Sequence, residues 1–159
     1  MNPRSKAPKG VVMRPSEIVP SERGGGARTI PLVTREIGST SILNGITSFD
    51  PGAAIPLHHH NCEESVVLLD GHAVAEIDGV EHELGPLDTT FIPSNVPHRF
   101  RNKSESEPMR ILWIYASVEA TRTLVATGET RSIDAEHVRT REALLDEART
   151  PYSGRVRPR

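Results

Sequence analysis

The chain has 159 residues, one cysteine and a formal net charge of −2. Its 36% hydrophobic and 25% charged residues are typical of a folded globular domain and exclude a disordered chain. The near-neutral charge excludes a strongly cationic protein of the nucleic-acid-binding or membrane-surface class, and one cysteine excludes an internal disulfide framework. The basic N-terminus has no apolar run behind it, and no stretch reaches transmembrane length. We therefore expect a cytoplasmic protein with neither a nucleic-acid nor a membrane partner.

The first segment, residues 1–26, is rich in proline, serine and basic side chains and ends in three glycines, which predicts a loose arm. Short edge strands at residues 11–13 and 17–19 remain an alternative within it. Beyond the arm, short runs of strand-forming residues alternate with turn residues, and this spacing predicts an all-β sandwich or barrel. The predicted strands cover residues 27–34, 41–49, 72–77, 80–84, 88–92, 97–102 and 109–116. Asp78-Gly79 is a strong hairpin signal between two of them, and we expect this turn to lie far from any metal chemistry.

The C-terminal part of the chain has a weaker pattern. Residues 120–126 fit either a strand or a helix. Residues 134–148 place apolar side chains among charges at helical spacing, which predicts a short amphipathic helix. Residues 149–159 carry four arginines and no acidic residue, which is typical of a solvated basic tail that could touch an anionic partner.

Metal-binding residue types concentrate in residues 52–71. Alternate side chains of an extended strand share a face, so His58 and His60 point together while His59 points away. Glu64 follows after enough residues to turn the chain and begin a second strand. Two imidazoles and a carboxylate on adjacent strands form an incomplete metal site, and His98 offers a fourth ligand. Glu63 competes with Glu64, but strand alternation points Glu63 outward.

The spacing of these residues resembles the first motif of the cupin superfamily. Gly52 is followed after five residues by His58-x-His60, after three more by Glu64, and after six more by Gly71.

A second cupin-like motif runs through Pro93, His98 and Asn102, and fifteen residues separate the first motif from Leu87, where the second would begin. The chain departs from the family at Leu87 and Asn95, where glycine is usual. Asparagine tolerates positive φ, so Asn95 can make the same turn.

The resemblance implies a double-stranded β-helix, or jelly-roll cupin barrel, over residues 27–124. An N-terminal arm would cover residues 1–26, and a C-terminal helix and basic tail would cover residues 125–159. The resemblance also implies a homodimer and one metal ion held by His58, His60, Glu64 and His98.

Three neutral nitrogens and one anionic oxygen suit an intermediate divalent metal such as Fe, Mn, Ni, Co, Cu or Zn. Four protein donors on an octahedral ion leave two positions for a ligand with two oxygens. Phe100 shares a face with His98 and is a predicted pocket wall. Tyr115 and Cys62 are weaker candidates for the substrate pocket, because Tyr115 also fits the core and Cys62 also fits a tight turn.

These features favour a mononuclear metal enzyme, of dioxygenase, isomerase or lyase type, that acts on a small oxygenated organic compound. The alternative is a non-catalytic cupin that binds or senses a small metabolite. Fold alone does not decide between them, and no separate catalytic base is identifiable.

Overall fold

The computed structural model describes residues 9–136, and nearly all of its regular structure is β. A single 3₁₀ turn, Pro15–Glu17, precedes the strands. In chain order the strands are β1 (Ser21–Gly24), β2 (Ala27–Val33), β3 (Leu43–Phe49), β4 (His58–His60), β5 (Glu64–Asp70), β6 (Ala73–Ile77), β7 (Val80–Leu84), β8 (Thr89–Ile92), β9 (His98–Asn102), β10 (Met109–Tyr115), β11 (Thr121–Leu124) and β12 (Thr130–Ser132).

The strands form two sheets of six strands each. The order in the first sheet is β1-β2-β3-β10-β5-β8, and the order in the second is β12-β11-β4-β9-β6-β7. Every strand pairing is antiparallel. The core between the sheets comes from strict alternation in the sequence: β3 and β10 bury every second side chain, from Leu43 to Phe49 and from Met109 to Tyr115. This arrangement confirms the predicted all-β class and the jelly-roll fold.

The buried threonines and Asn102 are hydrogen-bonded inside the core. Thr29 and Thr47 share a hydrogen bond of 2.9 Å between their hydroxyls, and the indole N–H of Trp113 donates to Thr47 Oγ1 at 3.0 Å. Asn102, at the end of β9, donates its side-chain amide to the carbonyls of Asp50 and Glu107 at 3.2 and 2.7 Å. These bonds offset the cost of burying polar atoms and hold the end of β9 against two loops.

Four segments outside the predicted strands gain a definite structure, and one of them is β12, within the predicted C-terminal helix and tail. Residues 120–126, which fitted either a strand or a helix, contain the strand β11. The segment predicted as an arm contributes β1, an edge strand that pairs with β2. Residues 133–136 are helical, while most of the helix predicted over 134–148 and all of the basic tail lie outside the described residues. The boundaries at residues 26 and 124 stay a prediction.

The Asp78-Gly79 turn joins β6 to β7 as a two-residue hairpin, with Ile77 paired to Val80. Both turn residues have positive φ, 50° for Asp78 and 78° for Gly79, as this tight turn requires. Within residues 9–136, no helix has the length and apolar character needed to cross a membrane.

Candidate metal centre

Three buried histidines converge between the two sheets. His58 and His60 come from β4, whose alternation buries both and leaves His59 half-buried on the other face. His98 begins β9 and is paired directly with His58. Each side chain has one ring nitrogen that could bind a metal ion, and these three nitrogens lie within 4.8 Å of one another. A short strand with a His-x-His pattern thus supplies two donors, and its neighbour supplies the third.

Each imidazole is oriented by a backbone carbonyl oxygen at its Nδ1. The Nδ1-to-oxygen distances are 2.7 Å from His58 to Pro56, 2.9 Å from His60 to Thr121 and 2.9 Å from His98 to Val96. A carbonyl only accepts, so Nδ1 carries the proton in each ring. The neutral ring then has its lone pair on Nε2, which is the tautomer that a metal ligand needs.

Glu64 begins β5 and reaches the same point from the other sheet. Its Oε2 lies 2.8 Å from Nε2 of His98 and 3.4 Å from Nε2 of His60. Burial raises the pKa of Glu64, but the two neighbouring imidazoles more than offset burial and hold its pKa at about 2. The carboxylate is therefore the anionic form at neutral pH, as an oxygen ligand must be.

The site leaves buried polar atoms without partners. Nε2 of His60, Nε2 of His98 and Oε2 of Glu64 are buried and have no hydrogen-bond partner. Such atoms are costly unless something binds them. Burial, and then the charges of His98 and His60, lower the pKa of His58 to about 3, so this ring also stays neutral. The donor set fits a divalent transition metal ion.

The structure thus brings together all four residues predicted to hold the metal, while their binding of an ion stays a prediction. Glu63, the competing carboxylate, is exposed. Arg99 and Arg101 lie on the outer face of β9, where they pair with Glu76 at 2.6 Å and Glu81 at 3.1 Å. They therefore face away from the histidines.

The three predicted pocket residues lie at different depths. The Tyr115 ring centroid is 4.6 Å from that of His60, and burial together with the Glu64 charge raises the pKa of its hydroxyl well above the usual value. Phe100 is fully buried, with its ring centroid 6.2 Å from that of His98. Cys62 is half-buried against the core, and burial raises the pKa of its thiol. Tyr115 therefore has the closest contact with the histidines and stays protonated.

Comparison with known proteins identifies the family. A family model described as a cupin domain matches residues 45–115. The chain belongs to the cupin family. The polyketide synthase CurC of Streptomyces cyaneus is 36% identical over 93 residues, which are 57% of this chain and 60% of CurC. The protein SchB of Streptomyces halstedii is 34% identical over 92 residues, 57% of this chain and 67% of SchB.

A plant relative and two solved structures extend the comparison. The auxin-binding protein T85 of Nicotiana tabacum is 30% identical over 89 residues, 45% of this cupin and 48% of T85. A predicted oxalate decarboxylase from Thermotoga maritima has a TM-score of 0.61 at 25% identity, over 67% of this chain and 99% of the other. The polyketide cyclase RemF of Streptomyces resistomycificus has a TM-score of 0.63 at 18% identity, over 82% of this chain and 94% of RemF.

The cupin has a second group of charged residues beside the histidines that sequence reasoning missed. Arg122, on β11, is the direct strand partner of His60. Its guanidinium lies 2.5 Å from Glu136, and the guanidinium of Arg23 lies 3.5 Å from the same carboxylate. Arg23 fell in the predicted arm and Arg122 in a segment of undecided structure. Only the pairing of β11 with β4 would have indicated the position of Arg122.

One expectation about position is wrong. The Asp78-Gly79 turn does not lie far from the histidines, because Ile77, at the end of β6, is the strand partner of His98. The backbone N–H of Asp78 also donates to the carbonyl of Pro97 at 2.9 Å. The turn therefore supports the strand end that carries His98.

Proposed function

We propose that this cupin is a mononuclear metal-dependent enzyme acting on a small organic compound that has two neighbouring oxygen atoms. The observation that supports the proposal most directly is the set of buried donor atoms without partners, on His60, His98 and Glu64, with His58 beside them. A structure that only stabilised itself would pair these atoms or replace them with apolar ones.

In this proposal, His58, His60, His98 and Glu64 hold the ion, and the three backbone carbonyls at Nδ1 keep the rings in place. When bound, a divalent ion supplies a Lewis acid that polarises a carbonyl oxygen. The hydroxyl of Tyr115 stays protonated and can donate a hydrogen bond close to His60. The buried walls, Phe100 among them, exclude water and strengthen electrostatic interactions inside the site.

The relatives favour a polycarbonyl substrate. CurC is named as a polyketide synthase component, and polyketide chains carry carbonyl oxygens on alternate carbons. Two such oxygens can bind one metal ion together. We therefore propose a β-dicarbonyl or its enol as the substrate class, with the reaction of dioxygenase, isomerase or lyase type.

A non-catalytic binding protein is the second candidate. The match to a protein named for auxin binding, over 45% of this chain, favours it. Both candidates use the same metal centre. They differ in whether a bound compound is released unchanged.

The first experiment measures the metal content of protein purified without added metal, by elemental analysis. The Co(II)-loaded protein is then titrated with acetylacetone, a bidentate β-diketone, and with 2-pentanone, which has one carbonyl. We expect acetylacetone to change the visible Co(II) spectrum at a lower concentration. An unchanged spectrum with both compounds would contradict the proposed site.

A second experiment separates the enzyme from the binding protein. Fe- and Mn-loaded protein is incubated with a panel of β-diketones while oxygen consumption and products are recorded. The enzyme proposal expects turnover that disappears in metal-free protein. Ligand binding without product for every metal and compound would favour the binding protein, and turnover that persists in verified metal-free protein would contradict both.

A further inference from the structure

Two arginines and one glutamate form a mostly buried charged group, here called the arginine cluster: Arg23, Arg122 and Glu136. Their side chains are 20%, 18% and 15% exposed. Most of the other ion-paired arginines in the described part of the chain are far more exposed, as Arg110 is at 50%. Burying charged groups is costly, so a cluster of this kind needs a structural or functional reason.

Arg122 of the arginine cluster lies beside His60 of the candidate metal centre. Directly paired residues on neighbouring antiparallel strands place their side chains on the same face, so Arg122 faces the same way as its partner His60. The residue before it, Thr121, accepts the hydrogen bond that orients the His60 ring. The strand β11 therefore orients one metal-site histidine and presents a guanidinium beside it.

Arg23 approaches from the other sheet. It belongs to β1, the edge strand of the first sheet, while Arg122 belongs to the second sheet. The charges of Arg23 and Glu136 act on the Tyr115 hydroxyl, whose pKa is raised chiefly by burial and by Glu64. Since the Tyr115 ring contacts the His60 ring, the charges of Arg23 and Glu136 act on a residue packed against one of the candidate ligands.

The formal charges of this end favour an anion. Among residues 9–136, Glu64 and Glu136 cancel Arg23 and Arg122 here, and the histidines would be neutral as ligands. A divalent ion at the centre would therefore leave an excess of two positive charges in a region of low dielectric. In addition, two guanidinium groups have ten N–H donors between them, and the two oxygens of one carboxylate cannot use all of these.

We propose that Arg23 and Arg122 form an anion-binding subsite, so that the substrate carries a carboxylate in addition to the two oxygens that bind the metal. The metal-binding half of this statement rests on the proposed function. The planar guanidinium fork matches a carboxylate in a bidentate geometry. A substrate with this pattern would be held at two points, and its net negative charge would neutralise the site.

The test compares two 2-oxo acids of equal chain length on Co(II)-loaded protein. Both 2-oxoglutarate and 2-oxopentanoate offer the same pair of chelating oxygens, but only 2-oxoglutarate has a second carboxylate. We expect wild-type protein to bind 2-oxoglutarate about tenfold or more tightly, the effect of one charge-assisted hydrogen bond. In Arg122→Met and Arg23→Met this preference should disappear, while the affinity for 2-oxopentanoate changes little.

Arg101→Met is the matched control, because it removes the same charge from the outer face of β9. It should keep the wild-type preference, and Arg122→Lys should keep part of it. Metal content and melting temperature are measured for each variant, to show that it is folded and loaded. If Arg122→Met does not fold, the comparison of the two acids is made with Arg122→Lys and Arg23→Met. Equal binding of the two acids by wild-type protein, or an equal loss in Arg101→Met, would overturn the subsite alone. A Co(II) spectrum unchanged by either acid would overturn the subsite, and a spectrum unchanged by acetylacetone as well would overturn the proposed function with it.

Discussion

A buried histidine becomes a useful ligand when one nitrogen is held in its deprotonated form and aimed at the metal. In this cupin the backbone does both, since a carbonyl oxygen accepts from Nδ1 of each of His58, His60 and His98. For His58 and His98 the acceptor is two residues earlier in the chain, so the orientation is local. For His60 it is the carbonyl of Thr121, far away in sequence. Glu64 is the anionic member of the set.

Glu64→Gln should weaken metal binding, because it removes the anionic donor while it keeps the shape of the side chain. We expect the metal dissociation constant to rise by about tenfold or more, the range seen when even indirect partners of a ligand are lost. Competition against a chromogenic chelator measures it. Glu63→Gln, at an exposed neighbouring position, is the control and should bind metal as wild type does. Equal affinities for all three proteins would show that Glu64 does not bind the metal.

The two departures from the family's glycines have a measurable consequence. Leu87 and Asn95 both have positive φ, 72° and 64°, so the backbone keeps the conformation that glycine adopts without strain. Asn95 tolerates this conformation, and its N–H donates to the carbonyl of His60 at 2.7 Å. Leu87 does not tolerate it well, and its side chain is 73% exposed, so little packing offsets the strain.

We therefore expect Leu87→Gly to increase the free energy of unfolding, by roughly 0.5–1 kcal/mol after the entropic cost of glycine is subtracted from the relieved strain. Urea denaturation measures the change. Asn95→Gly serves as the comparison and should have a smaller effect. A less stable Leu87→Gly variant would show that the exposed side chain makes a contact worth more than the strain.

At the scale of elements, the short strand β4 depends on its neighbours. It has three residues, pairs with β9 at a single position and pairs with β11 along its whole length. A three-residue strand is stable only within a sheet, so β11 sets the position of the His58 and His60 backbone. The hairpin of β6 and β7 has the same relation to β9, through Ile77 and His98.

The tight turn after β5 offers a test of close packing. Gly71 has φ of 87°, and a Cβ there would lie 2.7 Å from the carbonyl oxygen of Pro108 and 2.9 Å from Cα of Met109. Gly52 has φ of 71°, but a Cβ there would meet nothing within 4 Å. The two glycines thus share the backbone conformation and differ in crowding.

Gly52→Ala should cost about 1 kcal/mol of stability, from the backbone conformation alone. Gly71→Ala should cost about 1–3 kcal/mol more, because backbone atoms must move to make room. Urea unfolding of both variants measures the difference. Equal losses would mean that the turn at Gly71 relaxes freely.

At the scale of the whole molecule, the candidate metal centre adjoins an apolar core that extends well beyond it. Large buried side chains such as Phe49, Leu68 and Met109 fill much of the space between the sheets. Paired charges on the outer face, including Arg101 with Glu81, keep the second sheet covered by polar side chains. The homodimer implied by the family resemblance stays a prediction.

Removal of metal should therefore lower stability without unfolding the barrel. A ligand that binds only the folded state stabilises it by about 2.7 kcal/mol at a hundredfold excess over its dissociation constant. We expect a chelator to lower the melting temperature and to leave the β-sheet circular dichroism at room temperature unchanged. Complete unfolding on chelation would show that the core depends on the metal, and an unchanged melting temperature would indicate that no metal was bound.

The all-β class and the shared face of His58 and His60 could be predicted from the sequence because both depend on local geometry. Alternation along an extended strand places His58 and His60 on one face whatever surrounds them, and the turn at Asp78-Gly79 follows from its own residues. The regular burial along β3 and β10 is the same effect on the apolar side chains.

The arginine cluster was decided only by the tertiary structure. Nothing near Arg23 or Arg122 in the chain indicates that they lie at the metal end of the barrel, or that residues 121–124 form a strand rather than a helix. The position of Arg122 and the strand at residues 121–124 depend on pairing with β4, about sixty residues earlier, whereas Arg23 is positioned by the pairing of β1 with β2. A segment with only a weak preference for strand or helix adopts the structure in which a neighbouring strand pairs with its backbone hydrogen-bonding groups. That neighbouring strand is known only once the sheets are assembled.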